Sequence, residues 1–245
     1  MLIDTHAHLN FNAYKNDVDE VIKRTLAEDI WMINVGSQYI TSKRAVEIAE
    51  KYPKGIYAAV GLHPIHAGDG FDRDKFKELA ELPKVVAIGE IGLDHKAEYS
   101  SFKEKQKEVF LEQLALAKEL DLPVIFHCRM AHRDLLEIVN SEIKGVIHCF
   151  TGDLDQARKY LEMGFYLGFN GIIFKLDLDK IIKETPLERI LIETDCPYLT
   201  PPPKTSRNEP IYIKCIAEKI AKIKNTNIQE ISLQTTQNAK DLFRI

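Results

Sequence analysis

No apolar run in this sequence approaches the roughly 20 residues needed to cross a bilayer. Its first residues are interrupted by Asp4, His6 and His8, so no leader-like apolar stretch follows a basic one. These two absences argue against a membrane span and a secretory leader, and the expectation is a soluble, cytoplasmic protein, with a monomer favoured. Positive charge is not in excess either. The formal net charge is −4, so there is no global basic field, and a polyanion would have to be met locally. Cysteine is scarce: Cys128, Cys149, Cys196 and Cys215 are far apart and form no CxxC pair. That spacing argues against a disulfide framework and a zinc ribbon and leaves reduced structural thiols.

What is present is a repeated alternation. With 245 residues and 45% hydrophobic content, the chain has the size of one (β/α)8 TIM barrel, a single domain spanning 1–245. Eight short apolar or β-branched runs read as strands: Met1–Thr5, Trp31–Val35, Ile56–Val60, Val85–Gly89, Pro123–Phe126, Gly145–Ile147, Phe165–Gly168 and Arg189–Thr194. Helical patterns separate them at Asp17–Glu28, Thr41–Lys51, Arg73–Glu81, Ser101–Leu120, Asp134–Val139, Asp153–Met163 and Leu178–Glu184, with two more at Pro210–Lys224 and Ile228–Phe243. In Ser101–Leu120 an apolar stripe through Val109, Leu111, Leu114, Leu116, Ala117 and Leu120 faces a lysine-rich side that reads as solvated surface. Pro201–Pro202–Pro203 onward to Asn208 is a rigid loop that cannot be helix, placed after the eighth strand at the barrel mouth. A doubly wound open sheet is the competing architecture, but eight units and the placement of the polar residues favour closure, with the site at the C-terminal mouth of the strands.

Those polar residues stand at strand ends. His6 and His8, two apart after the first strand, share a face by strand alternation and can grip one cation. Glu90 follows VVAIG, His127 follows PVIF, His148 follows GVI, and Asp195 follows ILIET. Any one of them has a plain structural explanation as a polar cap or core histidine. Together they would bury too many ionisable groups around one axis unless cations pair with them. Four imidazoles and two carboxylates exceed the roughly three protein ligands of a single open zinc site. Two divalent ions fit better, with Glu90 bridging and Asp195 terminal; zinc, manganese, iron and magnesium all suit such ligands. Cys128, Cys149 and Cys196 each follow a proposed ligand and are expected to face away from it.

Three residues are candidates for substrate binding. His63 follows IYAAVGL at the mouth of the third strand, as a donor or as a loop cap before Pro64. Arg129 and Arg207 suit bidentate phosphate contacts, or ordinary ion pairs with a carboxylate such as Glu193 or Glu209. The stretch Lys204–Lys224 is modestly basic, compatible with a track for a backbone. His66, His95 and His132 lack strand-end placement and read as surface or supporting residues.

The segments LIDTHAHLN, GLHP, AIGEIGLD, FHCR, HCFTGD, ETDCPYL and RNEP resemble the TatD family of metal-dependent deoxyribonucleases, within the amidohydrolase-like barrels, along nearly the whole chain. The resemblance implies that His6, His8, Glu90, His127, His148 and Asp195 are metal ligands, that His63 is the histidine of the GxHP motif, and that Arg207 belongs to RNEP. Ile65 stands before His66 where the family often has a second histidine, and Ser206 precedes Arg207 where a Gly-Lys/Arg turn is common. The carbamylated lysine of many related barrels has no counterpart, which leaves the bridging role to Glu90. The implied activity is 3′-5′ exonuclease-like hydrolysis of DNA phosphodiesters by a two-metal-activated water, with Glu90 and Asp195 as catalytic carboxylates. The rival reading is ester or amide hydrolysis, of an aminoacyl ester on RNA or a small cyclic amide. A cationic track would mark the first and a closed, apolar pocket the second.

Overall fold

The computed structural model describes residues 1–245, the side chain of Ser100 excepted. Eight parallel strands follow one another in a single sheet in sequence order. They are β1 (Leu2–Ala7), β2 (Ile30–Val35), β3 (Ile56–Val60), β4 (Val85–Asp94), β5 (Val124–Arg129), β6 (Gly145–Ile147), β7 (Tyr166–Phe169) and β8 (Ile190–Ile192). Helices α1 (Val18–Ala27), α2 (Tyr39–Glu50), α3 (Arg73–Ala80), α4 (Lys103–Glu119), α5 (His132–Ile138), α6 (Leu154–Glu162) and α7 (Asp179–Glu184) connect successive strands, and α8 (Ile213–Lys224) and α9 (Ile228–Phe243) end the chain. The architecture is the expected TIM barrel, nearly closed. No described helix is long and apolar enough to cross a membrane.

Two apolar layers hold it. Ile3, Ile33, Ala59, Ala87, Ile125 and Val146 cluster inside the barrel, with Leu242 and Phe243 of α9 plugging its lower end. Outside, helix faces such as Val109, Leu116 and Ala117 of α4 pack on the outward residues of the strands. Asp153 caps α6 by accepting from Gln156 N at 2.8 Å, and Asn227 caps α9 through Glu230 N at 2.9 Å, which satisfies amides the helices cannot.

The strands depart from their expected ends where the site begins. β4 runs five residues beyond Gly89, fully buried, with a register shift between Gly89 and Ile91. Gly92 makes this extension possible: at φ +145° an added Cβ would stand 2.0 Å from His127 O, so only glycine lets β4 lie against β5 here. β5 continues through His127 to Arg129, and β1 continues through His6. β8 is shorter than expected, because Thr194 and Asp195 leave the ladder and Asp195 takes φ 57°.

β8 and β1 share no regular ladder, only an isolated bridge between Ala7 and Cys196. The gap is closed by Asp195 N donating to His6 O (2.8 Å), His8 N to Cys196 O (2.9 Å) and Thr5 Oγ1 to Ile192 O (3.1 Å). Beneath them buried Asp4 accepts from Thr194 N (2.9 Å) and Thr194 Oγ1 (2.5 Å). Thr194→Val keeps the shape but removes one donor from a buried carboxyl, a loss of about 1–3 kcal/mol. The expected result is a melting temperature lowered by about 2–10 °C in the metal-free protein; unchanged melting would show that the seam closes without this bond.

Candidate metal centre

The six strand-end residues expected as ligands meet at one place. His6 Nε2 and His8 Nε2 face each other at 3.1 Å. Glu90 Oε2 lies 3.5 Å from His6 Nε2, and Asp195 Oδ1 lies 3.4 Å from His8 Nε2, 3.9 Å from His6 Nε2 and 4.0 Å from His148 Nε2. The other oxygen of Glu90, Oε1, is 2.6 Å from His127 Nδ1, 3.5 Å from His63 Nε2 and 3.6 Å from His148 Nε2. One carboxylate thus turns its two oxygens to two groups of imidazoles. Three overlapping sets of converging donors result: His6, His8 and Glu90; His6, His148 and Asp195; His63, Glu90 and His127.

Whether cations fit there is answered by the other side of each ring. His8 Nδ1 is 2.8 Å from Val35 O, His127 Nε2 is 3.1 Å from Asp94 Oδ2, and His148 Nδ1 is 2.8 Å from Glu193 Oε1. For His8 and His127 the oxygen on the outward nitrogen holds the proton there and turns the inward nitrogen's lone pair to the centre, the arrangement that orients metal-ligating histidine, while Glu193 stands by His148 Nδ1 as a nearby charge without a hydrogen bond. His6 Nδ1 is buried without a hydrogen-bond partner, and His6 Nε2 and His8 Nε2, 3.1 Å apart, need a proton or a cation between them. The donor set of imidazole and carboxylate therefore fits divalent cations.

Electrostatics agree with the geometry. Burial alone would raise the Glu90 carboxyl, but His63, His127 and His148 around it hold it well below the usual carboxylate range. Asp195 is held below its ordinary value in the same way, burial being outweighed by His8, His148 and His6. Burial, then the neighbouring His127, lowers His63 to about 4, so its ring is neutral. Its Nδ1 accepts from Ile65 N at 3.2 Å, which leaves the proton on Nε2, facing His127 and Glu90.

Two carboxylates escaped the sequence reading. Asp94, 2% exposed on the extended end of β4, and Glu193, fully buried after β8, each back an imidazole. Glu193 also accepts from Cys149 N (2.7 Å) and Asn170 Nδ2 (3.1 Å), and Gly168 leaves it room, since a Cβ there would meet its Oε2 at 2.6 Å. This buried environment rules out the ion pair with an arginine considered for Glu193. The only signal was position, four residues after Glu90 and two before Asp195.

Arg129 is exposed at the mouth and lines the cavity above the centre. Arg207 does not reach that cavity: its guanidinium pairs with Asp17 (2.6 Å) and Glu209 (3.2 Å) and stacks over Tyr14 at 4.1 Å. The Lys204–Lys224 stretch is likewise partly spent, on Lys214 to Glu28 (2.6 Å) and Lys219 to Asp179 (3.2 Å). The cysteines divide. Cys196 is fully buried, while Cys128, near the end of β5, and Cys149 line the cavity, contrary to the expectation that they face away; for Cys149 the reason is that β6 ends at Ile147 and its φ of 46° no longer follows strand alternation. Burial pushes the Cys128 thiol up to about 12 and Cys149 well above its ordinary value, and such protonated thiols are poor ligands. His132 is also buried in the cavity wall, its Nδ1 3.2 Å from Tyr160 Oη, and His66 and His95 sit beside Asp69 (3.3 Å) and Asp134 (3.3 Å).

Asp94→Ala frees His127 Nε2 and with it the ring's tautomer and orientation. The expected outcome is metal affinity weakened about 10–100-fold at unchanged fold, read by titrating the metal-free protein with zinc or manganese. Wild-type affinity in the variant would remove Asp94 from this role.

Comparison with known proteins places the geometry in a group. The sequence model of the family described as TatD related DNase matches residues 3–244. The chain is 48% identical to the uncharacterized metal-dependent hydrolase YabD of Bacillus subtilis, with all of both chains covered. It is 34% identical to the 3′-5′ ssDNA/RNA exonuclease TatD of Erwinia tasmaniensis, again over the full length of each. Among solved structures, the TatD homolog YjjV of Escherichia coli superposes with a TM-score of 0.91 at 28% identity, covering 100% of this chain and 98% of the other.

Proposed function

The chain belongs to the TatD related DNase family of metal-dependent hydrolases, and from that premise we propose that it is a deoxyribonuclease that hydrolyses phosphodiester bonds and removes nucleotides from the 3′ end of a single strand. The observation that carries the proposal is the division of Glu90 between two imidazole groups at the floor of a cavity of about 800 Å³, within the range of small-ligand sites and roomy enough for a nucleotide.

On this reading His6, His8, His127, His148, Glu90 and Asp195 would together hold two divalent ions, with Glu90 contributing to both. When bound there, such ions would supply Lewis acidity at a phosphoryl oxygen and lower the pKa of bound water toward neutral pH. The protein's own groups do the rest. Asp195, ionised and with Oδ1 turned to the centre, takes the proton of the attacking water. His63, neutral with its proton on Nε2, is a donor at the cavity floor for a phosphoryl oxygen. Arg129, the sole Lys or Arg lining the cavity among the described residues, neutralises charge on the phosphate as it builds.

One observation favours the rival ester or amide reading. Ile65, Met130, Leu176 and Tyr198 make the cavity rim largely apolar and exposed. The same surfaces suit unpaired bases, which stack on apolar and aromatic side chains. The test uses metal-stripped protein, end-labelled single-stranded DNA and added magnesium, manganese or zinc, beside Asp195→Asn. Stepwise shortening that requires metal and falls by about 10²-fold or more in the variant is expected. Full metal uptake with no shortening would transfer the weight to carbonyl substrates such as aminoacyl esters on RNA or small cyclic amides.

A further inference from the structure

A second cavity, of about 500 Å³, adjoins the first. The two share Phe11, Ser37 and Tyr198 as a common wall, and beyond that wall the second is lined by Asn10, Gln38, Ile40 and Arg44. Phe11 stacks on His8 with ring centroids 4.3 Å apart, so one face of the wall belongs to the metal centre and the other to the groove. Tyr198 is 55% exposed and Ile40 78% exposed, unusual for residues of their size. Asn10, by contrast, is 1% exposed. Its amide nitrogen is committed to Val35 O (3.1 Å) and Thr41 O (2.9 Å), while its Oδ1 accepts no hydrogen bond within the protein.

The arginine decides what kind of ligand this is. Arg44 stands on α2, half-buried at the groove, and no carboxylate lies within ion-pair distance of its guanidinium among the described residues. Some guanidiniums of the surface are committed to carboxylates, as with Arg24 on Glu209 (2.8 Å) and Arg158 on Glu184 (2.8 Å), while Arg44 remains available at the groove. A free guanidinium beside an exposed isoleucine and a tyrosine offers an anion clamp next to an apolar platform, the pair of surfaces that a nucleotide presents in reverse.

We propose that this groove is a second nucleotide subsite, in which Arg44 binds the phosphate next along the strand from the scissile one while its base lies against Tyr198 and Ile40. The inference rests on the phosphodiesterase reading of the centre and adds to it the path of the strand. The substrate crosses the mouth from Arg129, over the metal centre, past the Phe11–Tyr198 wall to Arg44. Arg44 is a specificity residue for substrates longer than one nucleotide. It touches neither the reacting phosphate nor the proposed ligands.

Arg44→Ala and Arg44→Lys, as metal-loaded proteins, test this with two substrates: single-stranded oligonucleotides, and bis(p-nitrophenyl) phosphate, which is too short to reach the groove. For oligonucleotides the alanine variant is expected to raise KM about tenfold with kcat kept, and to flatten the slope of log KM against log salt by about 0.7. The lysine variant should restore the slope. Hydrolysis of the small diester should not change in either. A wild-type KM and slope in Arg44→Ala would overturn the subsite and leave the phosphodiesterase reading standing. If the wild type hydrolyses neither substrate, the phosphodiesterase reading fails, and the subsite is then judged by binding alone. Fluorescence anisotropy of a labelled oligonucleotide on Asp195→Asn, with and without Arg44→Ala, supports it if the double variant binds about tenfold more weakly and sinks it if both bind equally.

Discussion

The structure depends on how its eighth strand is joined to its first. Every other neighbouring pair of strands is a parallel ladder, while here closure rests on a few bonds between β1 and the segment after β8. Those bonds run through the residues that carry the site, since His6 O accepts from Asp195 N and His8 N donates to Cys196 O. The spacing of His6, His8 and Asp195 is therefore set by peptide groups rather than by side-chain adaptability, and a barrel that closes has already assembled half of its centre. The irregular register of β1 between Asp4 and Ala7, the shift in β4 after Gly89 and the positive φ of Asp195 all fall at this level. Regular strands would have carried some of these side chains to the outer face.

Assembly of that kind has an electrostatic consequence. Glu90 and Asp195 are ionised in a place where burial opposes charge, and only the surrounding imidazoles compensate. The imidazoles are in turn oriented by Val35 O, Asp94 and Glu193 on their outer edges. Carboxylates and imidazoles thus alternate outward from the centre, and the carboxylates hold His127 above its ordinary value and His148 up to about 10 against burial. Such a shell is balanced by cations at the middle, and the same alternation keeps the inward nitrogens free for them.

This logic explains what could be read in the sequence and what could not. Ligand candidates were legible because each interrupts an apolar run at a strand end, as in PVIF before His127 or GVI before His148, and eight such runs in order imply a barrel. Asp94 was invisible because β4 continues past the point where its pattern breaks, and Glu193 because a carboxylate two residues before Asp195 looks like a surface charge until the chain leaves the strand at Ile192. Arg207 was misleading for the opposite reason. Its motif places it at the mouth; the ion pair with Glu209 was the alternative the sequence offered, but Asp17 becomes a partner only when the start of α1 is packed beside the proline-rich loop. Arg44 carries no motif at all; only the fold shows that α2 brings it, without a carboxylate partner, to a groove shared with Ile40 and Tyr198.

The distribution of charge then bears on how a strand would be handled. A chain of net charge −4 offers a polyanion little attraction over most of its surface. Under the proposed reading the attraction comes from the cations at the centre and from two guanidiniums on either side of it, Arg129 and Arg44, with apolar side chains between. Each phosphate contact adds to affinity and to the work of moving the strand on by one nucleotide. A continuous basic groove would bind DNA tightly and, being blind to its bases, would bind duplex as well. Two separated clamps with exposed Tyr198, Met130 and Leu176 around them reward a strand whose bases are unstacked. A duplex end would have to pay for unpairing before reaching the same contacts. Selection for single strands would then follow from the scarcity of positive charge at the mouth, the same scarcity that runs through the whole sequence.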